Sequence, residues 1–211
     1  MSEPHPDAGV RARLGRLELA ERGGVSAELI EEAMADLEPA VRACASRAAA
    51  ARLSPERLIE LIGRGDSLAR RASAMDALAA CGDRSLPAIA AALGPACRGA
   101  VLFLLQVLGR IRSPTAVALL REAARDPEPM LAQAALESLG RQRDTGSLPL
   151  FVEALGAEAW LAFTAIAALG ELGDPRAIEP LSRLREDEIY RDAAEAALER
   201  ISVCCRRGVR P

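Results

Sequence analysis

The sequence predicts an all-α solenoid of about six helix pairs plus a closing C-terminal helix. Three observations predict it. The first is an internal repeat. Pro180, Pro149, Ala118, Pro87 and Glu56 stand 31 residues apart, each followed in turn by Leu181, Leu150, Leu119, Ala88 and Arg57. Leu169-Gly170, Leu139-Gly140, Leu108-Gly109 and Leu78-Ala79 recur at steps of 30, 31 and 30. The second is helical spacing of apolar residues within each unit, as in Leu131, Ala135, Leu136 and Leu139. The third is the lack of any strand signal, with no alternating β-branched run and no aromatic hairpin.

Each unit has two helical halves. The expected pairs are 8–22 with 26–37, 38–52 with 55–64, 66–81 with 84–93, 95–111 with 114–124, 127–142 with 146–155, and 157–172 with 175–185. A single helix over 187–201 closes the array. The first halves end at recurrent turn residues: Gly82-Asp83, Ser113-Pro114, Asp144-Thr145-Gly146 and Gly173-Asp174-Pro175. Glycine suits the left-handed residue that stops a helix. Asp or Ser followed by Pro then opens the second half as N-cap and first helical residue. The second halves are shorter, as in Ala177, Ile178, Leu181 and Leu184. A two-helix unit cannot bury its apolar faces alone, so the units must stack, and six pairs would make a curved rod on the order of 60 Å long. The expected division is a flexible tail over 1–7, one solenoid over 8–201 and a basic tail over 202–211.

The stretch LGELGDPRAIEPL (169–181) resembles the short HEAT-like repeat of bacterial proteins, the type also found in phycobiliprotein chromophore lyases. DTGSLPLFVEAL (144–155) and SPTAVALLREA (113–123) resemble its second half, and IYRDAAEAALERI (189–201) resembles the first half of a further unit. The resemblance covers residues 37–201 and, more weakly, 8–36. It implies a solenoid and, for function, a protein-binding scaffold. Such repeats often carry an Arg seven residues before the Leu of Leu-Gly. Arg71 and Arg191 match that position, whereas Val101, Ala132 and Ala162 depart from it.

Composition excludes several chemistries. The chain has 211 residues, a formal charge of −3 and an isoelectric point near 5.4, which argues against a nucleic-acid-coating protein. All 27 basic residues are Arg. Aromatics are Phe103, Phe151, Trp160, Phe163 and Tyr190, so the core must be Ala, Leu, Ile and Val. The single histidine, His5, leaves no base for a Ser or Cys nucleophile and no imidazole pair for a metal. Carboxylate runs such as Glu186-Asp187-Glu188 point different ways on a helix and read as caps and solvated surface. Neither a phosphate-cradling Gly loop nor a metal motif occurs. The expectation is therefore no catalytic site and no cofactor. Residues 1–10 lack a secretory signal pattern, and no apolar run reaches the roughly 20 residues of a membrane span. A cytoplasmic protein binding neither nucleic acid nor membrane is expected. Cys44, Cys81 and Cys97 read as small buried thiols, and Cys204 and Cys205 as free thiols in the basic tail.

Two features suggest where a partner protein binds. Charge by segment is −3 over 1–66, +2 over 67–156 and −2 over 157–211. Within the basic middle, Arg110 and Arg112 recur one period later as Arg141 and Arg143, at the turn between the halves of a unit. Stacking would gather these four guanidinium groups on one edge, with Arg84 and Arg176 flanking them. Such an edge suits an acidic peptide or a phosphate, or else it is a solvated turn partly neutralised by Asp83, Asp144 and Asp174. The second feature is that GAVLFLLQVLG (99–109) and AWLAFTAIAALG (159–170) are apolar nearly all round. Such a helix is buried on every side or exposes an apolar patch. Trp160 and Phe163 are three residues apart and share a face. The expectation is a non-catalytic scaffold or adaptor, anchored through Trp160 and Phe163 and steered by Arg110, Arg112, Arg141 and Arg143. The alternatives are an accessory protein of the chromophore-lyase type, handling a bilin or modifying a partner, and self-association through helix 159–170.

Overall fold

The computed structural model describes residues 6–21, 26–94 and 98–206. These residues form thirteen α-helices with short 3-10 turns, and there is no strand among them. The fold class is the all-α solenoid. The chain divides into two compact units, Met1–Val107 and Leu108–Pro211.

The first unit holds α1 (Pro6–Glu21), α2 (Ala27–Ala33), α3 (Pro39–Arg52), α4 (Pro55–Arg64), α5 (Leu68–Ala80), α6 (Leu86–Ala92) and all but the last residue of α7 (Arg98–Leu108). The first-half helices pack in succession, α1 on α3 and α3 on α5, and the second-half helices α2 and α4 lean on the first-half helix that follows each of them. Their contact layer is built from small and branched side chains such as Val41, Ala45, Ala48, Leu58, Ile62, Ala74 and Leu78, all fully buried. Ser26, Ser54 and Ser67 cap α2, α4 and α5 by accepting from the N–H of Leu29, Arg57 and Arg70 at 3.4, 3.2 and 3.2 Å. Arg71 donates from Nε to the Ile62 carbonyl at 3.1 Å and lies 4.5 Å from the centre of the Phe103 ring. Its side chain thus ties the first turn of α5 to the last turn of α4 while covering an aromatic face.

The second unit holds α8 (Pro114–Ala123), α9 (Pro129–Gln142), α10 (Leu148–Ala154), α11 (Ala159–Leu172), α12 (Ile178–Arg183) and α13 (Arg191–Arg206). Here α9 packs on α11 and α11 on α13, while α8, α10 and α12 each pack on the next first-half helix. The recurrent Leu-Gly now has a physical reason. A Cβ on Gly109 would lie 2.8 Å from Ser138 Cβ, one on Gly140 3.0 Å from Ala168 Cβ, and one on Gly170 3.0 Å from Ala197 Cα. Each glycine therefore accepts a small residue of the following first-half helix against its own backbone.

Apart from shifts of a few residues, such as α2 ending at Ala33 rather than at 37, the helix boundaries differ from the expected ones in two ways. The second halves α6, α10 and α12 are preceded by 3-10 turns, Gly82–Ser85, Thr145–Ser147 and Pro175–Ala177. Pro87 and Pro149 have no N–H to reach four residues back. Instead Leu86 and Leu148 bond three residues back, to the carbonyls of Asp83 and Thr145. Secondly, α13 continues five residues beyond the expected Ile201, to Arg206. Cys204 lies against Gly173, and Arg206 donates to the Ser202 hydroxyl at 3.1 Å, so this turn has packing and hydrogen bonds of its own. Residues 1–5 and 207–211 of the two expected tails, with His5 and Cys97, lie outside the described residues. None of the four described cysteines is in a disulfide, and only Cys44 is fully buried. No described helix is long and apolar enough to cross a membrane.

Candidate functional site

The apolar look of α11 resolves into one buried face and one open face. Ala162, Ala165, Ile166, Leu169 and Leu172 are buried, whereas Ala159, Phe163, Ala167 and Glu171 are exposed at four-residue spacing. The solvent side of this helix is thus made of alanine and an aromatic ring, with Glu171 in its last turn as the one charged side chain. Beside it runs the outer stripe of α9, Gln133, Glu137 and Arg141, and the two stripes enclose an open groove of about 570 Å³. Trp160, Phe163 and Thr164 line its α11 wall.

Both aromatic rings are held in place. Phe163, 40% exposed, meets Tyr190 edge-on with ring centres 5.2 Å apart and planes at 61°. The half-buried Trp160 donates its indole N–H to Glu158 at 2.8 Å, and Thr164 donates to the Trp160 carbonyl at 3.1 Å. Arg141 faces Glu137 at 3.9 Å, a loose contact between two half-exposed groups. The groove combines rigid aromatic area with Glu137, Glu171 and Arg141 around it.

A second groove, of about 440 Å³, lies at the turn between α9 and α10. Arg112, Ser113, Arg121, Arg143 and Asp144 are among its lining residues. Arg121 reaches Asp144 and donates to Ser147 at 3.0 Å, and Ser147 donates to Asp144 at 2.6 Å. Burial pushes the Asp144 carboxyl up, but the bonds from Ser147 and Arg121 outweigh it and hold it below the ordinary carboxylate range. Arg112 donates to the Gln142 carbonyl at 2.8 Å. The buried Gln142 amide reaches back to the carbonyls of Leu108 and Ile111 at 2.8 and 2.6 Å, so the end of α7 and the end of α9 are strapped to each other. Arg143 follows as the C-cap of α9 with φ 52°. Gly82 and Gly173 fill the corresponding left-handed position after α5 and α11. An L-residue there costs roughly 1–2 kcal/mol.

The structure therefore separates the expected anchors and the expected edge. Trp160, Phe163 and Arg141 line one groove; Arg112 and Arg143 line the other; Arg110 lines neither. The grooves adjoin, because Arg141 and Arg143 flank Gln142 in the last turn of α9. Of the flanking pair, Arg84 is directed to the Ala50 carbonyl, and Arg176 pairs with Asp174 at 2.6 Å. Sequence reasoning missed Gln142, Tyr190 and the Arg121–Asp144–Ser147 cluster. Gln142 had no signal at all, whereas Tyr190, the sole tyrosine, could have been weighed as a partner for Phe163.

Residues 95–162 match the model of HEAT repeats, and residues 161–187 match that of the PBS lyase HEAT-like repeat. The chain carries HEAT-like repeats. Among solved structures it is similar to the crystal structure of an engineered protein, with 16% identity, 89% of this chain and 97% of the other covered, and a TM-score of 0.50. That likeness concerns the fold alone. It is also matched to the X-ray structure of YibA of Escherichia coli, with 13% identity, 96% and 98% coverage and a TM-score of 0.28, which carries no argument. No curated protein matches the sequence. The lyase in the name of the second HEAT-like model describes a repeat type, spanning one helix pair of this chain.

Proposed function

We propose that this helical repeat scaffold is a non-catalytic adaptor that binds another protein through the α9–α11 groove. The observation that carries the reading is the open face of α11, where Trp160 and Phe163 are fixed by Glu158 and Tyr190 yet remain accessible. Aromatic rings held in one orientation lose little entropy on binding, and truncating such a Trp typically costs 2 kcal/mol or more of affinity, at least about thirtyfold. Arg141, loosely held by Glu137, is positioned to turn to an acidic group on the partner, and Arg112 and Arg143 steer that partner from the adjoining groove.

The test is co-purification from lysate of the source organism, with wild type beside a Trp160→Arg/Phe163→Glu double variant. Far-UV circular dichroism establishes that the variant is folded. A protein retained by wild type and lost from the folded variant supports the reading. Identical retention by both removes it. Light scattering of the isolated chain distinguishes a second copy from a different partner. The chromophore-lyase alternative has no observation of its own here, since the groove's two aromatics belong to the adaptor reading equally well.

A further inference from the structure

The basic groove has features that steering alone does not require. Its charges are three guanidinium groups and one carboxylate. Arg121 and Asp144 neutralise each other in a hydrogen-bonded pair, which leaves Arg112 and Arg143 as a net charge of two. Arg112 uses Nη1 on the Gln142 carbonyl, and its guanidinium carries further N–H donors. The Arg143 guanidinium has no hydrogen-bond or ion-pair partner among the described residues, and Arg143 occupies the left-handed position that glycine fills in other units.

Helix α8 opens into the same groove. Ser113 is its N-cap by backbone, as Ser54 and Ser67 are for α4 and α5, but no helix N–H bonds to the Ser113 side chain. Ser113 as a residue is more than nine-tenths buried and lines the groove, and its hydroxyl, not itself sealed from solvent, has no hydrogen-bond partner among the described residues. The first backbone bond of α8 runs from Val117 N–H to the Ser113 carbonyl at 3.1 Å, so the N–H groups of Thr115 and Ala116 precede it. The Ser113 hydroxyl and the Arg112 and Arg143 guanidinium groups thus line one space at the N-terminus of α8. All of them can donate, and the helix end adds a partial positive charge.

We infer that the groove of Ser113, Arg112 and Arg143 at the start of α8 binds a phosphate dianion, either free phosphate or a phosphate monoester. A carboxylate would leave one of the two charges unmatched and has two oxygens for three donor groups, two of them guanidinium groups with several N–H each. A phosphate has three or four oxygens and the charge of two that the groove lacks. The inference takes up only the Arg112–Arg143 part of the adaptor reading. A partner held at Trp160 does not depend on it.

The experiment is titration calorimetry of the full chain with inorganic phosphate and with a blocked Ala-phosphoserine-Ala tripeptide. Sodium chloride at matched ionic strength and the unphosphorylated tripeptide are the controls. The variants are Arg143→Gly, Arg112→Gln and Trp160→Arg. Arg143→Gly relieves the left-handed strain, so it folds at least as well as wild type and separates loss of binding from loss of structure. Binding of phosphate, weakened about ten- to hundredfold in Arg143→Gly and in Arg112→Gln and unchanged in Trp160→Arg, supports the inference. Tighter binding of the phosphorylated tripeptide than of inorganic phosphate assigns the ligand as a monoester, and equal or weaker binding assigns free phosphate. Heat no greater than that of the chloride control, or equal phosphate affinity in wild type and Arg143→Gly, overturns it. Because the Trp160→Arg/Phe163→Glu variant leaves Arg112 and Arg143 in place, co-purification with it beside wild type tells whether the adaptor reading survives that result.

Discussion

Replacing Gly109 by alanine tests the packing logic of the second unit most directly. The new Cβ would lie 2.8 Å from Ser138 Cβ, 3.0 Å from its Oγ and 3.1 Å from its Cα. The last of these is backbone, so rotation of a side chain cannot clear it and α9 itself must move. Overpacking of this kind costs about 1–3 kcal/mol. Gly109 follows the last residue of α7, so alanine gains no helix propensity there to offset the cost. Gly140 is different: it lies inside α9, where alanine gains about 1 kcal/mol, and its Cβ would meet Ala168 Cβ at 3.0 Å. Urea unfolding followed by circular dichroism should therefore rank Gly109→Ala below Gly140→Ala, and both at or below wild type. Ser138→Gly removes the two nearest atoms, at a helix-propensity cost of about 0.5 kcal/mol on its own. The double variant Gly109→Ala/Ser138→Gly should be more stable than the sum of the single changes by about 1 kcal/mol. Additive penalties, or a Gly109→Ala protein as stable as wild type, would show that the close approach is not what selects glycine.

Other changes probe the strap and the orphaned groups. Gln142→Ala removes two buried hydrogen bonds to the Leu108 and Ile111 carbonyls and should cost about 2–3 kcal/mol in the same urea assay; a loss under 1 kcal/mol would mean that the strap adds nothing to stability. Ser138 Oγ is buried with no hydrogen-bond partner, so Ser138→Ala should stabilise by about 1 kcal/mol, and a measured loss would reveal a partner for the hydroxyl. Asp144 is held below its unfolded value of about 3.9, so its contribution is present above that pH and is lost as pH falls through the lower folded value. Stability measured from pH 6 down to pH 2 should therefore fall less steeply in Asp144→Asn than in wild type. Parallel curves would refute the role of the Arg121 and Ser147 bonds.

The repeat was legible because its signals are local. Helical spacing, Ser or Asp before Pro, and Leu-Gly at a steady step place twelve of the thirteen described helices within three residues of where they were expected to start. The reason for the glycines was not legible. Nothing around Gly170 says that Ala197, 27 residues on, will press against it. The arginines show the same limit. Arg110 with Arg112 and Arg141 with Arg143 match in spacing, but spacing does not give direction. Arg143 caps a helix with positive φ, Arg112 turns to the Gln142 carbonyl, and Arg141 faces the aromatic groove. Trp160 and Phe163 were recognisable as a pair because three residues on a helix always share a face. Their exposure depended on how α9 lies beside α11, which no local pattern in the sequence gives.

The placement of Trp160 has a practical consequence. It is the one indole in the chain, so all tryptophan emission originates from the α9–α11 groove. A ligand that covers the ring will change the colour and quenching of that emission, with no background from a second fluorophore of its kind. A ligand in the basic groove can alter it only by shifting the last turn of α9, where Arg141 and Arg143 sit on either side of Gln142. One unlabelled optical signal thus separates direct occupancy of the aromatic groove from movement transmitted along two residues of backbone.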